Sequence, residues 1–159
     1  MKQNSLAKQT ALHLRQVYFG GNWTASSIRE TLADTTYEEA LTKVSSFNTI
    51  AVLTNHMSYY IPAVLEVLKG NALVAKDELS FTHPIITNQK EWEVFLDKIW
   101  VNVLEFCTKI EELEDTIFFE DMLEKKYGNL FRNLHGIIEH SHYHLGQIVI
   151  LKKLIRDKN

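Results

Sequence analysis

Residues 128–153 read GNLFRNLHGIIEHSHYHLGQIVILKK. Within this stretch His140 and His144 are four positions apart, so on a helix they lie on the same face, one turn apart. Steps of three or four along that face also give the apolar residues Ile137, Ile148 and Leu151. This spacing is typical of the inward face of a packed helix. The stretch therefore predicts a long helix that points two imidazoles into a core.

The histidine pair has two interpretations. A buried imidazole needs partners for both ring nitrogens, and one divalent metal ion binds two imidazoles spaced four residues apart. Alternatively, both are histidines at the rim of the core that bond to backbone or water, and the spacing alone leaves both interpretations open. A zincin-type protease is disfavoured, because its catalytic Glu directly follows the first His. That position is Ser141 here, and Glu139 precedes the pair and turns away.

The composition is that of an ordinary globular protein. A chain of 159 residues with 45% hydrophobic and 23% charged residues predicts a single domain over residues 1–159. The formal net charge of −3 argues against nucleic-acid or anionic-membrane partners. Cys107 is the one cysteine, which excludes an intrachain disulfide, and no signal-peptide-like or bilayer-length apolar run is present. These features predict a cytoplasmic protein.

Apolar periodicity and helix-end signals predict an all-α fold. The predicted helices run from Ser5 to Tyr18, from Thr36 to Lys69, from Asn88 through an apolar stripe ending at Leu113, and from Gly128 to Lys153. Pro62 should kink the second helix near Ser58, because proline lacks a backbone donor. Long connections over residues 20–36 and 71–87 separate these helices. The sequence therefore predicts a four-helix bundle with two long connections.

Such bundles build metal sites in their cores from facing helices. His56, on the second predicted helix, is the histidine best placed to face His140 and His144. Three neutral imidazoles leave a divalent ion its full positive charge, and a fourth coordination position stays open for water or substrate. Such an ion lowers the pKa of a bound water to about 7, or it stabilises a bound thiolate. A ferritin-like di-iron centre is disfavoured. It needs Glu-x-x-His on two helices, and this chain has only Glu139–His142.

Four other side chains have weaker functional interpretations. Tyr60 either orients substrate or packs in the core, and His13 is either a pocket wall or a histidine at the core rim. Trp23 either lines the mouth of a site or plugs the end of the core. Cys107 needs no chemical role on its amphipathic helix. The catalytic residues stay unassigned, because no acidic residue clearly shares the face that carries the histidines.

Three segments add a more specific indication: GGNWT at 20–24, Asn55–His56, and YGNLFRNLHGIIEHSHYHLGQI at 127–148. Together they resemble the DinB/YfiT-like superfamily of metal-dependent enzymes over nearly the whole chain. The most specific part is His140-x-x-x-His144-Leu-Gly-Gln147. The resemblance implies a four-helix bundle, frequently dimeric, with one metal ion held by a histidine of the second helix and two histidines of the last. Carried over to this sequence, the ligands are His56, His140 and His144.

The resemblance also implies an activity. Members of the superfamily include S-transferases that use low-molecular-weight thiols, and suspected hydrolases. We therefore expect a homodimeric enzyme with zinc or nickel that activates water or such a thiol toward a small-molecule substrate. The alternative is a non-catalytic, stress-related bundle that binds a metal or another ligand. Gly146 would allow close helix approach, and Gln147 would support the site or pack beside it.

Overall fold

The computed structural model describes residues 5–157, which contain eight α-helices, two short 3-10 helices and no strand. The α-helices are α1 (Leu6–Phe19), α2 (Ile28–Leu32), α3 (Tyr37–Leu41), α4 (Ile50–Ser58), α5 (Tyr60–Leu68), α6 (Asp77–Ser80), α7 (Gln89–Glu111) and α8 (Leu130–Arg156). The 3-10 helices are Asp115–Phe119 and Lys125–Tyr127. The all-α prediction is confirmed for these residues. Within the described range, every helix is too short or too polar to cross a membrane.

Side-chain caps start several helices where the sequence predicted them. The capping box of Thr36 and Glu39 is present at α3. The Asn88 side chain accepts a backbone N–H of the first turn of α7. Asn129 does the same for the last helix, so α8 begins at Leu130 and not at Gly128. Each cap satisfies a backbone donor that the helix itself leaves unpaired.

The single second helix predicted over residues 36–69 is wrong, because the structure divides this range into α3, α4 and α5. After Leu41 the chain is non-helical until Thr49, whose side chain accepts the N–H of Val52 and starts α4. Ser45 within this link has a positive φ of 50°. Serine, asparagine and threonine side chains compete for backbone hydrogen bonds, and this segment contains all three types.

The break predicted near Ser58 is present. Helix α4 ends at Ser58 and α5 begins at Tyr60, two residues before Pro62. Because Pro62 has no N–H, it cannot donate to the carbonyl four residues earlier. At the end of α4 the Ser58 hydroxyl also donates to the Thr54 carbonyl at 2.7 Å. The break separates α4, which carries His56, from α5, which begins at Tyr60.

The buried apolar side chains form one contiguous cluster. Helix α1 packs against α7 and α8, α4 packs against α8, and α5 packs against α7. Helix α7 contributes the predicted apolar stripe: Trp92, Phe95, Leu96, Ile99, Val103, Phe106, Cys107 and Ile110 are buried. The indole N–H of Trp92 donates to the Thr35 carbonyl at 3.0 Å, which ties α7 to the link before α3. That residues 1–159 form a single domain stays a prediction.

The buried face of α8 agrees with the predicted one at His144, Ile148 and Leu151 and differs at Ile137 and His140. Its buried residues are Leu130, Leu134, Ile138, Ser141, His144, Leu145, Ile148, Leu151 and Ile155. Ile137 and His140, which were predicted to point inward, are only partly buried. His144 is therefore buried as predicted, whereas His140 lies at the edge of the core. Both histidines contact His56 of α4.

Candidate metal centre

Three histidines from two helices meet at one point. His56 comes from α4, and His140 and His144 come from α8. His140 Nε2 lies 3.1 Å from His56 Nε2 and 2.9 Å from His144 Nε2. The ring centroids are separated by 4.8, 4.9 and 4.4 Å. The structure thus brings together the three predicted ligands, called the histidine triad below, and their role as ligands stays a prediction.

The opposite ring nitrogens fix the tautomers of two triad members. Ser80 Oγ donates to the Asp77 carbonyl at 2.6 Å, so it accepts the Nδ1–H of His56 across 2.7 Å. The side-chain oxygen of Gln147 accepts the Nδ1–H of His144 at 2.6 Å. A neutral imidazole carries only one N–H. The Nε2 atoms of His56 and His144 therefore both present lone pairs toward His140.

The triad alone cannot pair these lone pairs. A hydrogen on His140 Nε2 can be directed at one neighbour only, which leaves the other without a donor. A divalent ion removes the conflict by accepting a lone pair from each ring. Tetrahedral zinc at about 2.0–2.1 Å from each nitrogen would separate the nitrogens by roughly 3.3 Å. The separations of His140 Nε2 from its two neighbours, 2.9 and 3.1 Å, are close to this value, and the ligand atoms of all three residues lie within 4.8 Å of one another. The donor set therefore fits one divalent ion.

The surroundings keep the triad imidazoles neutral. Burial, reinforced by His144 and His56, lowers the pKa of His140 to about 4. Burial also lowers the pKa of His56 and of His144, whose exposed fractions are only 9% and 7%. Metal ions bind the neutral form of imidazole. The lone pairs of the triad are therefore available at neutral pH.

The connection between α5 and α7 covers His56. Ser80 of α6 bonds to His56, and the Phe81 ring stacks on the imidazole with centroids 4.1 Å apart. The Asn55 side chain donates to the Ser80 carbonyl at 2.7 Å and to the Thr82 carbonyl at 3.4 Å. The sequence did not identify Ser80 or Phe81, because this connection has no periodic pattern. Only the need of His56 Nδ1 for an acceptor indicated that a partner exists.

Tyr60 lies beside the triad with its hydroxyl already bonded. Its hydroxyl donates to Asp77 Oδ1 at 2.8 Å, and burial together with this carboxylate raises the pKa of Tyr60 to about 12. The ring lines a groove that includes His140, so Tyr60 borders the site instead of packing in the core. Asp77 is an acidic neighbour that the sequence did not identify, since it lies in a connection. Burial lowers the pKa of His56, and the Asp77 carboxylate opposes this shift.

Two grooves adjoin the triad. One, with a volume of about 470 Å³, includes His140 and extends to Arg132 near the start of α8. The other, of about 440 Å³, includes His144 and has an apolar lining that contains Phe47 and Ile150. Both volumes are in the range of small-molecule sites. A substrate can therefore approach the triad along either groove.

Three other residues discussed from the sequence lie outside the triad. Trp23 is 98% exposed, so it does not plug the core. Cys107 is fully buried on α7, and burial raises its pKa to about 11, which fits a packing role. The prediction that Gly146 allows close helix approach is wrong, because no atom of another helix within the described residues lies within 4 Å of a Cβ placed there. Gln147, in contrast, supports the site through its bond to His144.

His13 and His142 lie outside the triad and face each other. His13 is exposed on α1, and its ring centroid is 6.2 Å from that of His142. His13 is therefore not a wall of the triad. Glu139 is exposed, as predicted, but His142 is half-buried and its Nε2 has no partner among the described residues. Only one member of the Glu139–His142 pair points outward.

Comparisons with protein-family models, with curated proteins and with solved structures found no match for this chain. Membership of the DinB/YfiT-like superfamily therefore stays a prediction from the motif residues. The chemistry of the triad and of its two grooves is what bears on function.

Gln147→Leu is expected to weaken zinc binding about 10- to 100-fold, the usual effect of removing a hydrogen-bond partner of a metal ligand. The variant keeps all three imidazoles but removes the acceptor that orients His144. Competition with a chromophoric chelator measures the Kd. Gln9→Leu, at an exposed position of α1, is the matched control and should bind zinc as the wild type does. Equal affinities for both variants would mean that Gln147 does not orient a ligand.

Proposed function

We propose that this protein is a metal-dependent enzyme of the DinB/YfiT-like type, which activates water or a low-molecular-weight thiol at a zinc or nickel ion held by His56, His140 and His144. The observation that carries the proposal is the convergence of three Nε2 atoms, two of them fixed as acceptors by Ser80 and Gln147. The contacts of α1 with α7 and α8, of α4 with α8 and of α5 with α7 support a four-helix bundle in which α4 and α5 together form one of the four helices. The homodimer implied by the resemblance belongs to the same proposal.

The protein's own contribution is to place and orient the triad. A bound divalent ion with three neutral ligands supplies a Lewis acid that lowers the pKa of water or of a thiol. Ser80 and Gln147 hold the Nδ1 atoms, and Phe81 stacks on His56 to fix its ring plane. Tyr143 contacts the His144 ring edge-to-face, with centroids 4.9 Å apart. These contacts orient the ligands before any ion binds.

The donor set favours a catalytic site over a closed structural one. Structural zinc normally has four protein ligands. Within residues 5–157, no fourth His, Cys, Asp or Glu joins His56, His140 and His144. The two grooves also bring solvent-accessible space to His140 and His144. These features support an enzyme in preference to the non-catalytic alternative.

An activity screen of metal-loaded protein tests the proposal. With one equivalent of zinc or nickel, the wild type is expected to accelerate either the attack of cysteine or glutathione on chlorodinitrobenzene or the hydrolysis of p-nitrophenyl acetate. The first result indicates thiol transfer, and the second indicates a hydrolase. His144→Ala, which removes one ligand, should show only the background rate in both assays. A metal-loaded wild type that is no faster than His144→Ala in either assay would favour the non-catalytic alternative.

A further inference from the structure

The groove beside His140 differs chemically along its length. One end is formed by His140 and Tyr60, and the other contains the cationic side chains of Arg132 and Lys126. The lining also includes the apolar side chains of Met57, Val64, Leu73 and Ile137. This 470 Å³ space is called the Arg132 groove below. Its lining matches a molecule with an apolar middle and one charged end.

One residue that lines the Arg132 groove is a glycine. Arg132, Gly136 and His140 follow each other at intervals of four residues on α8, so they form one row along the helix. Apart from its chain neighbours and the adjacent backbone of α8, no atom of the described residues lies within 4 Å of a Cβ placed at Gly136. Eight residues of helix separate Arg132 from His140 by about 12 Å along the axis. An extended small molecule of this length can lie along the row.

The charges in the Arg132 groove favour a single negative charge at its far end. Lys126 is paired with Glu124 at 3.0 Å, whereas Arg132 is in none of the ion pairs found within residues 5–157. The guanidinium of Arg132 is therefore the cation left to bind an anion at that end, and a single cation matches a carboxylate better than a doubly charged phosphate. At the triad end, the Tyr60 hydroxyl is bonded to the Asp77 carboxylate, so the carboxylate of a substrate is favoured at the Arg132 end instead.

We propose that the substrate is an elongated molecule with an apolar middle and a terminal carboxylate, which Arg132 binds while the reacting group lies at the triad. This inference rests on the proposed function and narrows its substrate class. The planar guanidinium binds a carboxylate through two parallel hydrogen bonds. Roughly ten covalent bonds of extended chain span the distance of about 12 Å between the two ends.

Thiol binding to cobalt-loaded protein tests this proposal without an activity assay. A thiol that binds cobalt(II) gives a sulfur-to-metal charge-transfer absorption, and its titration gives a Kd. The two probes are ω-mercaptooctanoate and ω-mercaptooctanol, which differ only in the terminal group. The acid is expected to bind about tenfold or more tightly than the alcohol, as for other hydrogen bonds between charged groups. Arg132→Gln should remove this preference and leave the Kd of the alcohol within about twofold.

The controls separate this inference from the proposed function. Arg29→Gln removes the same charge at a residue that lines a different cavity, and it should keep the preference for the acid. A preference unchanged by Arg132→Gln would overturn the inference even if cobalt binds. If no cobalt binds, the proposed function fails, and calorimetry of octanoate with metal-free protein decides the inference alone. Octanoate binding that is lost in Arg132→Gln would then support a carboxylate site at Arg132. No octanoate binding to the wild type, or binding that Arg132→Gln leaves unchanged, would overturn the inference.

Discussion

His140→Ala is expected to lose its metal, whereas the wild type, purified without a nickel column, is expected to contain or take up about one equivalent. His140 is the central member of the triad, because its Nε2 lies next to both other Nε2 atoms. Loss of a direct ligand should weaken binding by more than the roughly 100-fold that follows loss of an outer hydrogen bond. Elemental mass spectrometry after dialysis measures the metal content.

His142→Ala is the matched control for this experiment. His142 lies on the same helix, between the two ligands of α8, but it faces His13 of α1. This variant should keep the full metal content. A His140→Ala protein that also retains one equivalent, or a wild type that binds none even after metal is added, would show that the triad is not a metal site.

Metal addition is expected to stabilise the wild type strongly. At a free zinc concentration about 1,000-fold above the Kd, binding to the folded state alone adds roughly 4 kcal/mol to the free energy of unfolding. For a chain of this length, that corresponds to an increase in Tm of roughly 8–16 °C. The physical reason is that a bound ion accepts the nitrogen lone pairs that face each other in the metal-free triad. Calorimetry with and without zinc measures the shift.

The same variant tests whether this stabilisation comes from the triad. His140→Ala should unfold at the same temperature with and without zinc, because the binding site is incomplete. Without zinc, its Tm should lie near that of the metal-free wild type. The substitution also removes His140 Nε2, which faces the lone pairs of both other histidines. An equal zinc-dependent increase in both proteins would place the stabilising ion elsewhere.

The fold was predictable where one physical signal dominates. Helix α7 has a long apolar stripe between Asn88 and Glu111, and its structure follows that stripe. Residues 42–49 show where this reasoning fails. Apolar residues there keep a helical spacing, but the Thr42 hydroxyl donates to the Glu38 carbonyl, and the Thr49 side chain accepts the Val52 N–H and starts a new helix. Whether these local bonds or a continuing helix is more stable depends on the packing of the surrounding residues. The spacing of apolar residues carries no information about that packing.

The candidate site was predictable in its histidines and not in their supports. The spacing of His140 and His144 places them on one face of any helix, and His56 was the histidine on a facing helix. Ser80, Phe81 and the other residues that hold His56 come from the connection between α5 and α7. The path of an irregular connection depends on tertiary contacts. The sequence can therefore require a partner for His56 Nδ1 without identifying it.

The burial of Cys107 has a consequence for any thiol chemistry at the triad. The chain has one sulfhydryl group, and it is fully enclosed on α7 with its pKa raised to about 11. The folded protein therefore has no thiolate of its own to compete for an electrophile or to form a mixed disulfide with a small thiol. Modification of Cys107 by a sulfhydryl reagent requires the core to open, so its rate reports how often the native structure opens.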